Sequence, residues 1–375
     1  MHALVTTDTW GGIWTFTLEL SVQLRRQGCQ VTLASFGPWP AEESLATLKR
    51  WGISIHCLPW QMEWMQGAER ETAAAQRELA RLAVSSGAGL VHANHFAFAG
   101  LDAGIPTVLT AHSDLYSWWR QVKNCEPPPS GFHAWYRDLV IQGLEQAAIV
   151  AAPTRAVAGD LRREYGCSRP VQVIYNGRSA GDFSCCGEKS NFAAAMGRVW
   201  DEAKQLAWLG ERSWPLPLAI AGPLQHPQNG QAAAPPAQDS CYLGELNGAA
   251  RRRLLGRAKI YVGCARYEPF GLSALEAALS GCALALADIE SQREIWGDAA
   301  GYFPVPPHPD AQAELCALLE RLVKTPEAGQ QARQRARECY GSYRMASEYR
   351  QLYRQAMARG ARVPQPPESA VAPCA

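Results

Sequence analysis

The chain has 375 residues, 47% apolar and 19% charged, and its 36 Lys and Arg against 35 Asp and Glu leave a formal net charge of +1. Such a length favours two hydrophobic cores over one, and the charge balance excludes the basic footprint that nucleic acid or an anionic lipid surface requires. No apolar run reaches the roughly 20 residues of a membrane span, and the N-terminus lacks the basic and apolar segments of a signal peptide. The expectation is a cytoplasmic protein with no nucleic-acid partner and at most peripheral membrane contact.

Twelve cysteines are scattered along the chain without any CxxC spacing. They read as small core residues of a reduced protein, and no structural metal is expected.

Short β-rich runs alternate with amphipathic stretches from the start. "ALVTT" (3–7) precedes a helical pattern over 12–27 that stops at Gly28, and "QVTLASF" (30–36) and "ISIHCLPW" (53–60) follow. A helix over about 67–86 leads into "GLVHAN" (89–94), "PTVLTAH" (106–112), "AIVAAPT" (148–154) and "VQVIYNG" (171–177). Continuous apolar runs of this kind are buried parallel strands, joined by right-handed helical crossovers. Residues 179–191 lose the rhythm and read as a linker after a first domain, 1–178. The alternation restarts with "FAAAMG" (192–197), a helix near 201–212, "LPLAIAG" (216–222), "CYLGEL" (241–246), "KIYVGCA" (259–265) and "CALALAD" (282–288). That makes a second domain, 192–341. Residues 224–239 form an exposed Pro- and Ala-rich loop, 342–359 are helical, and 360–375 read as a disordered tail. The fold class is α/β, two Rossmann-like doubly wound domains facing across a cleft, where ligands collect at the carboxyl ends of the strands.

The candidate residues fall at those ends. Gly11 and Gly12 occupy the first βα turn, which is either a plain tight turn or a place where backbone approaches a ligand closely. His112 closes the "PTVLTAH" strand and serves either structure or a ligand at the rim. Arg198 and Lys204, after "FAAAMG" and on the helix expected next, can converge on a pyrophosphate, whereas Asp201 and Glu202 suit a solvated helix face. Glu268 lies in the loop after "KIYVGCA", and Glu276 lies one to two turns into the following helix. The amides of Phe270, Gly271 and Leu272 mark its positive end. Carboxylates accept from paired hydroxyls while amides and cations hold phosphate oxygens, and a nucleotide sugar presents both. A base pocket is expected near Leu224 and Gly244 to Leu246.

Together these residues resemble the retaining, family-4 type of glycosyltransferase with the GT-B fold. The resemblance rests on "EPFGLSALE" (268–276), "GRVWDEAK" (197–204), "DIESQREIWGDAA" (288–300), "VIYNG" (173–177), "TAHSD" (110–114) and the early "GG" (11–12), in order over roughly residues 1 to 355. It implies that Glu268 holds hydroxyls of the donor sugar and Glu276 those of the ribose. Arg198 and Lys204 would neutralise the pyrophosphate with help from the Phe270, Gly271 and Leu272 amides, His112 would sit by the transferred sugar, and Gly11 and Gly12 would approach the phosphate on closure. It further implies a UDP-, GDP- or ADP-sugar as co-substrate, no cofactor and no metal, a final helix that returns to the first domain, and a glycan or lipid-linked acceptor. The 224–240 loop departs from a compact connection. Trp60, Trp64, Trp118 and Trp119 are either packing residues or saccharide platforms. The alternatives are a non-catalytic nucleotide- or glycan-binding scaffold and a phosphorylase or epimerase on the same frame. A dehydrogenase is disfavoured because neither half carries GxGxxG.

Overall fold

A computed structural model of the protein describes residues 1–184, 188–226, 230 and 240–360. Most of the expected 224–239 loop and all of the tail after Gly360 lie outside them. The first half contains β1 (His2–Asp8), α1 (Gly12–Arg26), β2 (Gln30–Phe36), α2 (Glu42–Arg50), β3 (Ser54–Leu58), α3 (Thr72–Ser85), β4 (Leu90–Ala93), β5 (Thr107–Thr110), α4 (Leu115–Trp118), α5 (Gly131–Gln146), β6 (Ile149–Ala152), α6 (Arg155–Tyr165) and β7 (Val171–Val173). The second contains β8 (Ser190–Met196), α7 (Leu206–Gly210), β9 (Leu218–Ala221), β10 (Ser240–Tyr242), α8 (Gly248–Arg257), β11 (Ala258–Gly263), α9 (Leu272–Leu279), β12 (Ala283–Ala287), α10 (Glu290–Trp296), β13 (Gly301–Phe303), α11 (Ala311–Val323) and α12 (Glu327–Cys339), and α13 (Ser342–Gly360) follows.

The strands form two parallel sheets, ordered β3-β2-β1-β4-β5-β6-β7 and β10-β9-β8-β11-β12-β13. Strands such as β4, β6 and β12 are buried along their whole length, which is why they read as unbroken apolar runs rather than alternating ones. Each sheet is covered on both faces. On one face of the first, α1 contributes Phe16, Leu20 and Leu24, spaced one helical turn apart. The same core takes in Met345, Tyr349, Leu352 and Tyr353 of α13, so the last helix returns to the first sheet. Two buried hydroxyls fix it there: Tyr353 lies 2.6 Å from His92 Nδ1, and Tyr349 accepts from Thr110 at 3.1 Å. Because Thr110 donates to Tyr349, it accepts from His92 Nε2 at 2.7 Å, which makes Nδ1 the acceptor for Tyr353.

Three expectations are corrected. The helix expected over 201–212 is only Leu206–Gly210, and residues 198–205 form a loop. Asp201 accepts from the Ala203 amide at 2.9 Å, and Gln205 adopts a left-handed φ of 53°, which an α-helix cannot accommodate. Lys204 therefore stands in a loop, and Asp201, read as part of a solvated helix face, is buried. Second, β8 begins at Ser190, inside the stretch read as linker. Third, β10 ends at Tyr242, before Gly244 turns the chain with a φ of +69°. The three-residue edge strand β13 was not foreseen, since so short a run has no measurable period.

Candidate functional site

The strand order reverses between β1 and β4 in one sheet and between β8 and β11 in the other. At such a switch point adjacent loops diverge to opposite faces and leave a crevice. Here the two crevices meet. A Cβ added to Gly11 would lie 3.0 Å from Arg198 Nη1, and one added to Gly12 would lie 3.7 Å from Leu272 Cδ1. The first βα turn thus presents backbone directly to the Arg198 loop and to the start of α9. A side chain larger than hydrogen at position 11 would occupy the space between them.

On the second-domain side the loop after β8 gathers two cations. Arg198 holds Asp201 Oδ2 through Nη2 at 2.6 Å and Nε at 3.1 Å. Burial alone would raise the Asp201 carboxyl, but the charges of Arg198 and Lys204 and the hydrogen bonds hold it below its ordinary range. Asp201 is therefore the anion that keeps Arg198 in place, a role that sequence reasoning missed. Lys204 Nζ reaches Glu268 Oε2 at 2.7 Å with both side chains partly exposed. Next to that pair the chain turns at Gly271, whose φ of +92° favours glycine, and α9 begins. The first amides of α9 have no intrahelical acceptor and carry the positive end of its dipole. Phe270 is buried behind them against Tyr340, and Leu272 packs into the cores of both domains.

Glu276 is placed differently from the rest. It is 2% exposed and lies between Arg251 Nε at 3.0 Å and Arg178 Nε at 3.2 Å. Arg178 also grips Glu19 of α1 at 2.7 Å, so one hinge arginine ties α9 to the first domain. Neither Nε has hydrogen-bond geometry toward Glu276. The carboxylate is compensated by charge rather than saturated by donors. Arg178 and Arg251 carried no sequence signal, since each stands in a stretch whose motif or helix reads the same without it.

His112 follows β5 at the cleft end. Its Nε2 lies 2.9 Å from Asn94 Oδ1, and the ring meets Phe16 edge-on at 4.6 Å. Burial, and after it the neighbouring His95, push its pKa down to about 3, so the ring is neutral near pH 7 and donates through Nε2 to the amide oxygen. At the other end of the cleft, Leu246 and Leu224 are half-buried against different cores of the second domain, while Trp200 stacks edge-on against His226 at 4.3 Å. The tryptophans pack. Trp60 donates to Glu78 at 2.7 Å, Trp64 meets Trp10 edge-on at 6.1 Å, and Trp118 lies against Trp119 and Tyr267.

Residues 10–180 match the family described as Glycosyltransferase Family 4, and residues 212–338 match Glycosyl transferases group 1. No curated protein matches the sequence. Among solved structures, sucrose-phosphate synthase from Thermosynechococcus elongatus superposes with a TM-score of 0.74 at 16% identity, over 96% of this chain and 99% of that one. Anabaena Alr3699/HepE in complex with UDP-glucose gives 0.70 at 13%, over 95% and 100%. WaaG, a glycosyltransferase involved in lipopolysaccharide biosynthesis, gives 0.66 at 14%, over 94% and 99%. With a family match on each half and two parallel-sheet domains that superpose on those structures end to end, the chain belongs to the family-4 type of glycosyltransferases and has the GT-B fold.

Proposed function

We propose that the protein moves a hexose from a nucleoside-diphosphate sugar to a hydroxyl of a glycan or lipid-linked acceptor, with retention at the anomeric carbon and without a metal. The observation that carries this reading is the convergence of Arg198 and the Lys204–Glu268 pair opposite the bare backbone of Gly11. The diphosphate of a donor competes with Glu268 for Lys204. Its arrival frees the Glu268 carboxylate to accept from sugar hydroxyls, while Arg198 and the first amides of α9 take phosphate oxygens. As the bond from the anomeric carbon to the β-phosphate oxygen breaks, these cations meet the charge growing on the leaving group. The acceptor oxygen forms its bond to the same face of that carbon and passes its proton to the departing phosphate. His112, neutral and held by Asn94, contributes a hydrogen bond at the sugar rather than a charge.

The HepE complexes with UDP, with UDP and glucose, and with UDP-glucose make UDP-glucose the first donor to test. Calorimetric titration with UDP, GDP and ADP in the presence of EDTA should give selective, metal-independent binding of one nucleotide. Glu268→Ala should retain that affinity and lose transfer, whereas Glu276→Ala should weaken the nucleotide; near-normal turnover in both variants sinks the assignment. The anomeric configuration of the product, read by proton NMR, decides retention. A second reading, a non-catalytic nucleotide- or glycan-binding scaffold, draws support from the engagement of Glu276 by two arginines; it expects binding without turnover.

A further inference from the structure

The loop that carries Glu268 is held alternately by the two domains. Within its own domain, Ser291 donates to the Glu268 carbonyl at 2.6 Å and Gln292 Nε2 to the Phe270 carbonyl at 3.0 Å. The two neighbours of Glu268 reach the other way. The Tyr267 hydroxyl accepts from the Asp114 amide at 3.3 Å, and the Pro269 carbonyl accepts from the Thr154 hydroxyl at 3.1 Å. Asp114 and Thr154 both belong to the first domain, at the N-termini of α4 and α6. Each is itself immobilised: Asp114 Oδ1 accepts from the Ser117 amide and the Tyr165 hydroxyl at 2.8 and 2.7 Å, and Thr154 accepts from the Val157 amide at 3.2 Å.

Tyr267 is a wedge as well as a hydrogen-bond partner. The residue is 6% exposed and packs with Val122 and Trp118 of the first domain and with Ala203, the neighbour of Lys204. The Arg266 amide donates to the Ala203 carbonyl at 2.8 Å, so the two loops that carry Lys204 and Glu268 close on the same ring. Separating the domains would expose that ring and release both neighbours of Glu268 together.

We propose that Tyr267 and Thr154 are positioning residues, which fix the backbone of the Glu268 loop at the sugar end of the cleft only when the two domains are closed. This rests on the role given to Glu268 above and extends it: the sugar-binding end of the site would be assembled by closure, and the nucleotide end would not. A donor hydrolysed or transferred prematurely in an open cleft is thereby avoided.

Tyr267→Phe keeps the ring and removes the acceptor. Thr154→Val keeps the shape and removes the donor, with Thr154→Ser as the variant that restores it. One neutral hydrogen bond is worth about 1 kcal/mol, which is about a fivefold change in an equilibrium or rate. With UDP-glucose as donor, kcat should fall roughly five- to tenfold in Tyr267→Phe and Thr154→Val, return in Thr154→Ser, and leave the Kd for UDP within twofold. Losses that fall equally on UDP affinity, or no change in kcat, overturn the proposal.

A second measurement needs no ligand. In amide hydrogen exchange of the full chain, Tyr267→Ala should speed exchange in peptides spanning 198–205, 266–272 and 112–118 while leaving β11 protected. Unchanged exchange in the first two peptides also overturns the proposal. Should the wild-type protein neither bind UDP nor consume UDP-glucose, the donor reading fails and the exchange result still decides the coupling.

Discussion

Gly222, at the end of β9, offers the sharpest test of how the floor of the second domain's cleft is built. Its φ is +143°, and a Cβ placed on it would lie 1.7 Å from the Gly197 carbonyl oxygen and 2.7 Å from the carbonyl carbon. The first distance is half of the 3.4 Å at which ordinary contact begins. The obstacle is backbone, and it cannot swing aside. The Gly197 amide donates to Ala221 at 3.0 Å, and the Gly222 amide donates to the Gly244 carbonyl at 2.9 Å, so three strand ends are locked together. Gly244 is the natural control, because its φ of +69° is also left-handed but nothing lies within 4 Å of its would-be Cβ. Gly244→Ala should lose only the backbone term, about 1–2 kcal/mol. Gly222→Ala adds the overlap and should lose roughly 4 kcal/mol or more, the range reserved for strain at a special backbone position. At roughly 2–4 °C per kcal/mol for a domain of this size, Gly222→Ala should melt about 10 °C lower and Gly244→Ala about 4 °C lower. Differential scanning fluorimetry of the two variants beside wild type suffices. Equal melting temperatures for the pair would refute the reasoning that backbone packing, and not φ alone, demands glycine here.

Two further expectations concern buried charge. Arg178→Met leaves Glu19 and Glu276 with one fewer cation each in a buried setting and should cost about 3–5 kcal/mol in urea denaturation; adding Glu276→Gln should recover part of the loss, and no recovery would mean that Arg178 acts through packing alone. His92 is pushed down to about 3 by burial first and by His112 second. Its folded pKa lies below the unfolded value near 6.5, so the stability it confers is present above pH 6.5 and falls as acid is added, by about 2 kcal/mol at pH 5. His92→Gln should flatten the fall in melting temperature between pH 7 and 5, whatever it does to the melting temperature at pH 7.

Strands buried on both faces write themselves as apolar runs, so β1, β4, β11 and β12 could be seen in the chain before any tertiary contact was known. The glutamates at 268 and 276 and the glycines at 11 and 12 could be marked for the same reason: spacing and position after a strand are local properties. What tertiary structure alone decided is which groups meet. Asp201 looks like a solvent-facing residue until it is seen buried beside Arg198. Arg178 carries no motif, yet it joins Glu19 and Glu276 across 257 residues of chain, from position 19 to position 276. Tyr267 sits inside a recognisable element, and its partner Asp114 is 153 residues away. Local sequence encodes backbone conformation and burial through short-range propensities and periodicity. Ion pairs and hydrogen bonds between domains depend on where whole sheets come to rest, and neither propensity nor period records that placement.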